Sequence, residues 1–208
     1  MDKNKIIELE NLIYKVQEKA PVAASTMANI LGVLIDLKPA MLGDFSEDEL
    51  KRFRIEEFKK LLDELGLESI FFEHRYLQNG EEITLEDFCI SKKKKLAEQT
   101  RQAFNALWST IDDNGEVINH RKWVKISKKI GRLLGYPKTA IDDFVKTADA
   151  DDEDRVKRMN RYRYYAHSAE HEESEFRLYD LKLNQAISKF APKTADLFSS
   201  NKEKRWLD

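Results

Sequence analysis

The chain has 208 residues, of which 41% are hydrophobic and 10% aromatic. That is enough apolar material for a buried core without disulfides or metals, and it excludes a wholly disordered chain. Charged residues make up 36%, whereas 7 glycines and 4 prolines are few, a combination typical of helix-rich proteins. The formal net charge is only −2, so any electrostatic indication of a partner must lie in how the charges are arranged.

The cysteine content and the amino terminus indicate a compartment. A single cysteine, Cys89, excludes an internal disulfide and favours a reducing environment. The first ten residues contain no apolar signal core, and the longest mainly apolar stretch, Pro21 to Leu37, is interrupted by polar side chains. We therefore expect a cytoplasmic protein without a membrane span.

Two helices are predicted at the amino terminus. Apolar residues recur at helical spacing from Ile6 to Val16 and predict an amphipathic helix that ends before Pro21. The next stretch, Val22 to Ile35, is more continuously apolar and predicts a buried helix.

A third helix is predicted after an extended segment. Ser46 with Glu49 three residues later has the pattern of a capping box, and an apolar face then continues as far as Gly66. Residues 36–43 contain Pro39 and end in glycine, so we expect them to be extended rather than helical.

A β-hairpin is predicted in the middle of the chain, at about residues 68–91. Residues 69–77 and 82–90 are rich in β-formers, and Asn79-Gly80 between them is a strong turn signal. An isolated hairpin is marginal in water, so we expect a third strand, for which Leu37 to Leu42 is the candidate. The predicted class is therefore α+β, dominated by helix, with a small antiparallel sheet.

Helical spacing returns in the second half. Predicted helices cover Leu96 to Trp108, His120 to Leu134, a short segment capped by Thr139, and a run with an apolar stripe from Phe176 to Phe190 before Pro192. There is no repeat and no Gly/Ser linker, so we predict one domain over 1–208, with a C-terminal helical part at about 138–200.

One predicted helix carries a basic face. Seven basic residues and no acidic one lie between Asn119 and Lys138. Five of them are candidate phosphate ligands: Arg121, Lys125, Lys128, Lys129 and Arg132. Lys125, Lys128, Lys129 and Arg132 follow the i, i+3, i+4, i+7 spacing that places them on one face, where like charges repel unless something offsets them.

One way to offset the repulsion among these cations is to bind a polyanion such as RNA. The segment 155–165 interleaves basic residues with tyrosines, which could supply both phosphate contacts and stacking surfaces. Its candidate ligands are Arg155, Arg158, Arg161, Tyr162 and Arg163. The leading hypothesis is a non-catalytic binding protein that engages RNA or another polyanion through both segments.

Alternatively, acidic side chains of the protein itself could offset the repulsion. Residues 142–154 contain seven acidic side chains against Lys146 alone and could lie across the basic face. In that case the charges serve solubility and internal pairing, and the protein is an interaction module with a protein partner. The sequence leaves both explanations open.

Two histidines raise a metal hypothesis. His167 and His171 are four residues apart, so on a helix they share a face and could bind a divalent metal. Two histidines are too few for a structural site, and the chain has no glycine-rich phosphate loop or nucleophile elbow that would name a cofactor or reaction. No cofactor is therefore predicted.

An enzymatic alternative uses Arg161 and His167. Their Arg-x5-His spacing resembles the motif of HEPN-domain ribonucleases, helical proteins in which this pair works at a dimer interface without a metal. The resemblance implies a homodimer that cleaves RNA, with the arginine stabilising the phosphate and the histidine acting on the 2′-hydroxyl. The polar residue that usually follows the arginine is replaced by Tyr162.

A second resemblance spans about residues 28 to 195. Lys38-Pro-Ala, the helix end at 61–67 and Ile130-Gly-Arg-Leu-Leu-Gly-Tyr-Pro137 are similar to an uncharacterised, mainly archaeal domain-of-unknown-function family. In that family the Gly-Tyr-Pro is followed, after one residue, by a Cys-Cys pair, where this chain has Thr139 and Ala140. The resemblance implies a shared fold, and any role of the family's cysteines in metal binding would be lost or altered here.

Overall fold

The fold is described from a computed structural model. The structure describes residues 1–17, 20–46, 49, 55–78, 81–112, 117–146, 174 and 176–202. Within these ranges the helices are α1 (Lys3–Val16), α2 (Ala20–Leu34), α3 (Ile55–Glu64), α4 (Lys94–Trp108), α5 (His120–Leu133), α6 (Lys138–Lys146), α7 (Leu181–Phe190) and α8 (Pro192–Lys202). A π-helical turn, Phe176–Asp180, leads directly into α7.

Three antiparallel strands form one sheet. The strands are β1 (Ala40–Ser46), β2 (Glu68–Gln78) and β3 (Glu81–Ser91), in the order β1-β3-β2. Leu42 pairs with Cys89 and Cys89 with Ile70, and this register fixes which side chains share a face. The predicted α+β class, dominated by helix with a small antiparallel sheet, is confirmed.

The main core lies on one face of the sheet. Phe45 and Phe88 stack with their ring centroids 4.8 Å apart, and Phe58 of α3 contacts Phe88 edge to face at 5.7 Å. Buried apolar residues of α1, α2 and α7 complete this cluster. Helix α2 is buried along almost its whole length, and this explains why its sequence is almost continuously apolar.

The opposite face of the sheet is covered by α4. Phe104 and Trp108 of this helix contact Phe72 and His74 of β2. Helix α5 packs against α4 and against α6. The basic helix is therefore carried on the outer side of α4, away from the main core.

Glycine sets the position of two helix ends. Gly66 (φ 74°) follows α3 and Gly135 (φ 77°) follows α5, both in the left-handed region that glycine adopts without strain. A Cβ on Gly135 would lie 2.7 Å from Pro39 Cδ and 3.3 Å from the Leu37 carbonyl oxygen. The Lys38-Pro39 and Gly135-Tyr136 segments are thus direct neighbours.

The structure corrects three predicted boundaries. Strand β1 runs from Ala40 to Ser46, beyond the predicted end at Leu42, and the predicted capping box at Ser46 falls on a segment that lies largely outside the described residues. Thr139 is not a cap, since α6 begins one residue earlier, at Lys138. Pro192 opens a further helix, which proline permits at a first helical position, where no backbone N–H is needed.

The remaining helices and the hairpin agree with the sequence prediction. Helix α1 ends before Pro21, α4 ends at Trp108, and the two hairpin strands bracket the predicted turn at 79–80, which lies outside the described residues. Among the described residues, no helix is both long enough and apolar enough to cross a membrane.

Candidate nucleic-acid interface

Local sequence determines how α5 forms and which side it buries. The side chain of Asn119 caps the helix by accepting a hydrogen bond from the Lys122 backbone N–H at 3.0 Å. Ser127 and Gly131 form the buried side. A Cβ on Gly131 would lie 2.7 Å from Ile141 Cγ1, so this glycine permits the close approach of α6. The opposite side of α5 faces outward.

Four exposed cations follow this outward side. We call them the basic row: Arg121, Lys125, Lys129 and Arg132. Spacings of four, four and three residues place them one above another over about 16 Å of helix. None of the four makes an ion pair or side-chain hydrogen bond with another described residue.

Lys128, the fifth predicted ligand on this helix, shares an aspartate with a second lysine. Its Nζ lies 2.8 Å from Asp142 Oδ1, and the Nζ of Lys138 lies 2.6 Å from Asp142 Oδ2. Hydrogen bonds from these two lysines lower the pKa of Asp142 to about 2. Internal pairing by the acidic segment is therefore real at this position, and the described part of that segment, residues 142–146, makes no ion pair with the basic row.

The aromatic residues of α5 and α6 lie away from the basic row. Trp123 is stacked between His120, at 6.2 Å, and Phe144 of α6, at 5.9 Å. Positions 123 and 125 are about 200° apart around a helix. The rings on α5 therefore serve its packing against α6, and they do not supply a stacking surface beside Lys125.

The second predicted segment lies outside the described residues. This holds for the predicted RNA ligands Arg155, Arg158, Arg161, Tyr162 and Arg163, for the predicted metal ligands His167 and His171, and for the predicted catalytic pair Arg161 and His167. That the two basic segments engage the same polyanion thus stays a prediction. Within the part of the chain that the structure describes, no group of three or more His, Cys, Asp or Glu side chains could hold a metal ion.

A buried carboxylate between the sheet and α4 was not identified from the sequence. Asp87 is 3% exposed, and its Oδ2 lies 3.4 Å from His74 Nδ1. Burial, with the charges of Asp44 and Glu86, raises the pKa of Asp87 to about 7, while burial lowers the pKa of His74. The alternation of β3 could have revealed this residue, since Asp87 shares a face with buried Cys89.

A buried lysine was also missed. Lys38 is 3% exposed, and its Nζ lies 5.1 Å from the centroid of the Tyr136 ring. Burial lowers the pKa of Lys38 to about 7, although the charge of Asp180 opposes the shift. A Cβ on Gly32 would lie 3.1 Å from Lys38 Cδ, so this glycine leaves room for the lysine stem. No local pattern predicts this burial, because it depends on contacts among segments distant in the sequence.

The comparisons with known proteins give no family for this chain. No protein-family model, no curated protein and no solved structure matches it. Both resemblances noted in the sequence therefore stay predictions. At the positions of the implied Cys-Cys pair, Thr139 is exposed and Ala140 is buried in the first turn of α6.

Proposed function

We propose that this protein is a non-catalytic RNA-binding protein that holds the phosphate backbone along the basic row of α5. The observation that supports the proposal is the row itself: four exposed cations aligned on one helix face, with no partner among the described residues. The neighbouring Lys128, by contrast, is ion-paired with Asp142.

The energetics of the row favour an external anion. Like charges one turn apart on a helix destabilise it by a few tenths of a kcal/mol per pair. A phosphate backbone removes this repulsion and releases condensed counterions, which supplies affinity that depends on salt. Four phosphate contacts on a single strand predict that log K falls with log salt with a slope of about −3.

The geometry predicts the kind of recognition. Phosphate contacts position a nucleic acid but do not read its sequence. The rings on α5 and α6 are packed with one another, so they are not placed to stack on bases beside Lys125. We therefore expect α5 to bind RNA with little sequence preference. Any base recognition would have to come from other parts of the chain.

A salt titration tests the proposal. Binding of a fluorescently labelled 16-nucleotide single-stranded RNA is measured by anisotropy at several salt concentrations, for the wild type and for Lys125→Glu/Lys129→Glu. The reversal should weaken binding at least tenfold at low salt and reduce the slope to about −1.5, since two phosphate contacts are lost.

A matched control separates the row from net charge. Lys94 and Lys95 are exposed lysines in the first turn of α4, so Lys94→Glu/Lys95→Glu changes the total charge equally. This variant should bind almost as the wild type does. Equal losses in the two variants, or wild-type binding that does not respond to salt, would overturn the proposal.

The same samples test the ribonuclease alternative. Under the binding proposal, the RNA is recovered intact from a denaturing gel after incubation in a chelator. Cleavage that persists in the chelator and disappears in His167→Ala would replace the binding role with metal-independent catalysis by Arg161 and His167.

A further inference from the structure

Two lysines from different helices converge on one carboxylate at the edge of the basic row. Lys128 of α5 contacts one oxygen of Asp142, and Lys138 at the start of α6 contacts the other. Each oxygen thus receives one ammonium group, at 2.8 and 2.6 Å. Two oxygens of a phosphate group could take the same two contacts.

The convergence lies beside the basic row. Lys128 follows Arg121 by two helical turns and precedes Arg132 by one, so it occupies the same side of α5. The Asp142 side chain is 29% exposed and that of Lys138 is 88% exposed. An anion held on the row could therefore reach this position from solvent.

We infer that Lys128 and Lys138 form a phosphate subsite that continues the basic row, and that Asp142 keeps this subsite closed as an intramolecular competitor. The inference rests on the proposed RNA-binding function. It assigns Asp142 a regulatory role: the aspartate limits how many phosphates α5 and α6 engage.

The competitor is ionised at every physiological pH. Both lysines donate hydrogen bonds to it and hold its pKa near 2, so a change of pH within the cellular range does not open the subsite. A carboxylate tethered to the protein also meets the lysines at a high effective concentration. Removing the carboxylate, rather than protonating it, is the way to expose both lysines.

The RNA titration on Asp142→Asn tests the inference. Two released lysines should steepen the salt slope by about 1.4, which is 0.7 for each added single-strand phosphate contact. Asp196→Asn, at an exposed position of α8, changes the net charge equally and should leave the slope unchanged. The pair is solvent-accessible, and ion pairs of this kind add little to stability, so the fold should persist. If Asp142→Asn melts early, Asp142→Ala takes its place.

A double-mutant comparison isolates the subsite from general electrostatics. Lys128→Ala should leave the slope of the wild type nearly unchanged, because Asp142 already occupies the Lys128 ammonium group. The same substitution in the Asp142→Asn background should remove about 0.7 of the slope. Equal effects of Lys128→Ala in the two backgrounds would overturn the inference, as would equal slopes for Asp142→Asn and Asp196→Asn.

A second probe makes the inference independent of RNA. Sodium tripolyphosphate is titrated into isotope-labelled wild type and Asp142→Asn, and the backbone amide shifts of Lys128 and Lys138 are followed. Saturating shifts in the variant with much weaker ones in the wild type support a subsite closed by Asp142. Matching titrations of the two proteins would reject it. Wild-type RNA binding without a salt slope would reject only the proposed function.

Discussion

Glu10 in α1 caps the amino terminus of α8 by accepting a hydrogen bond from the backbone N–H of Thr194. The Oε1···N distance is 2.8 Å, and Oε2 lies 3.3 Å from the backbone nitrogen of Lys193. Glu10 is fully buried, and the Tyr14 hydroxyl, one turn further along α1, donates to Thr194 Oγ1 at 3.3 Å. The first and last described helices are therefore joined by a buried carboxylate that serves as a helix cap.

Loss of this cap should destabilise the fold. Glu10→Ala leaves two N–H groups of α8 without their acceptor and opens a space in the core, so we expect a loss of about 2 to 4 kcal/mol in the free energy of unfolding. Glu10→Gln keeps one acceptor oxygen and should lose about half as much. Chemical denaturation measures both. Glu8→Ala, an exposed position on the same helix, should be near neutral; an equal loss there would contradict the cap.

Two glycines with the same backbone conformation should respond differently to alanine. A Cβ on Gly66 meets nothing within 4 Å, so Gly66→Ala should cost only the left-handed backbone penalty, about 1 kcal/mol. Gly135→Ala adds the clash with Pro39, at 2.7 Å, and should lower the free energy of unfolding by at least 1 kcal/mol more. Thermal melts of the two variants provide the comparison. Equal losses would mean that the two segments are not packed as described.

Elements that depend on interactions between nearby residues were predicted from the sequence, and those that depend on distant contacts were not. The hairpin and helices α1 to α5 were predictable because alternation, helical spacing and turn glycines such as Gly66 are local signals. The role of Pro192 was not, because a proline after an apolar stripe suits either a stop or a new first turn. The partner that decides between these possibilities, Glu10, lies more than 180 residues away.

The same limit applies to the candidate site. Helical spacing alone placed Lys125, Lys129 and Arg132 on one exposed face. Spacing could not show that Lys128 is ion-paired, because Asp142 reaches it only through the packing of α6 on α5. Spacing also could not predict that Lys38 is buried, because its burial depends on how the segment after α5, which contains Tyr136, packs against it.

Asp87 should give the protein an unusual dependence of stability on pH. Its pKa rises from 3.8 to about 7 on folding, so the folded state binds more protons than the unfolded state between these values. The free energy of unfolding should therefore fall as pH rises from about 4 to 7, by at most about 4 kcal/mol from this group. Glu86, whose pKa is also raised by burial, acts in the same direction.

Denaturation at a series of pH values tests the role of Asp87. Asp87→Asn should flatten the fall between pH 5 and 7 and leave the variant more stable than the wild type at pH 8. His74 acts in the opposite direction, because burial lowers its pKa and folding then favours higher pH. His74→Gln should accordingly steepen the fall. A wild-type profile that rises between pH 5 and 7 would contradict the assignment.

Lys38 should produce the opposite trend above neutrality. Burial lowers its pKa from 10.5 to about 7, so between these values the unfolded state binds the extra proton. The free energy of unfolding should rise by about 1 to 2 kcal/mol between pH 7 and 8.5. The measurement stops at pH 8.5, because the raised pKa values of Cys89 and Tyr136 lower the free energy of unfolding at higher pH.

Lys38→Met keeps the length of the buried stem without the amine, so its stability should not rise between pH 7 and 8.5. Lys93→Met, at an exposed position, should retain the wild-type rise and serves as the control. Together with the fall caused by Asp87, the rise places a stability minimum near pH 7, where many proteins are close to their maximum. Lys38→Met should lose only the rise above pH 7, and Asp87→Asn should lose only the fall below pH 7. Loss of both limbs in either variant would indicate a changed fold instead.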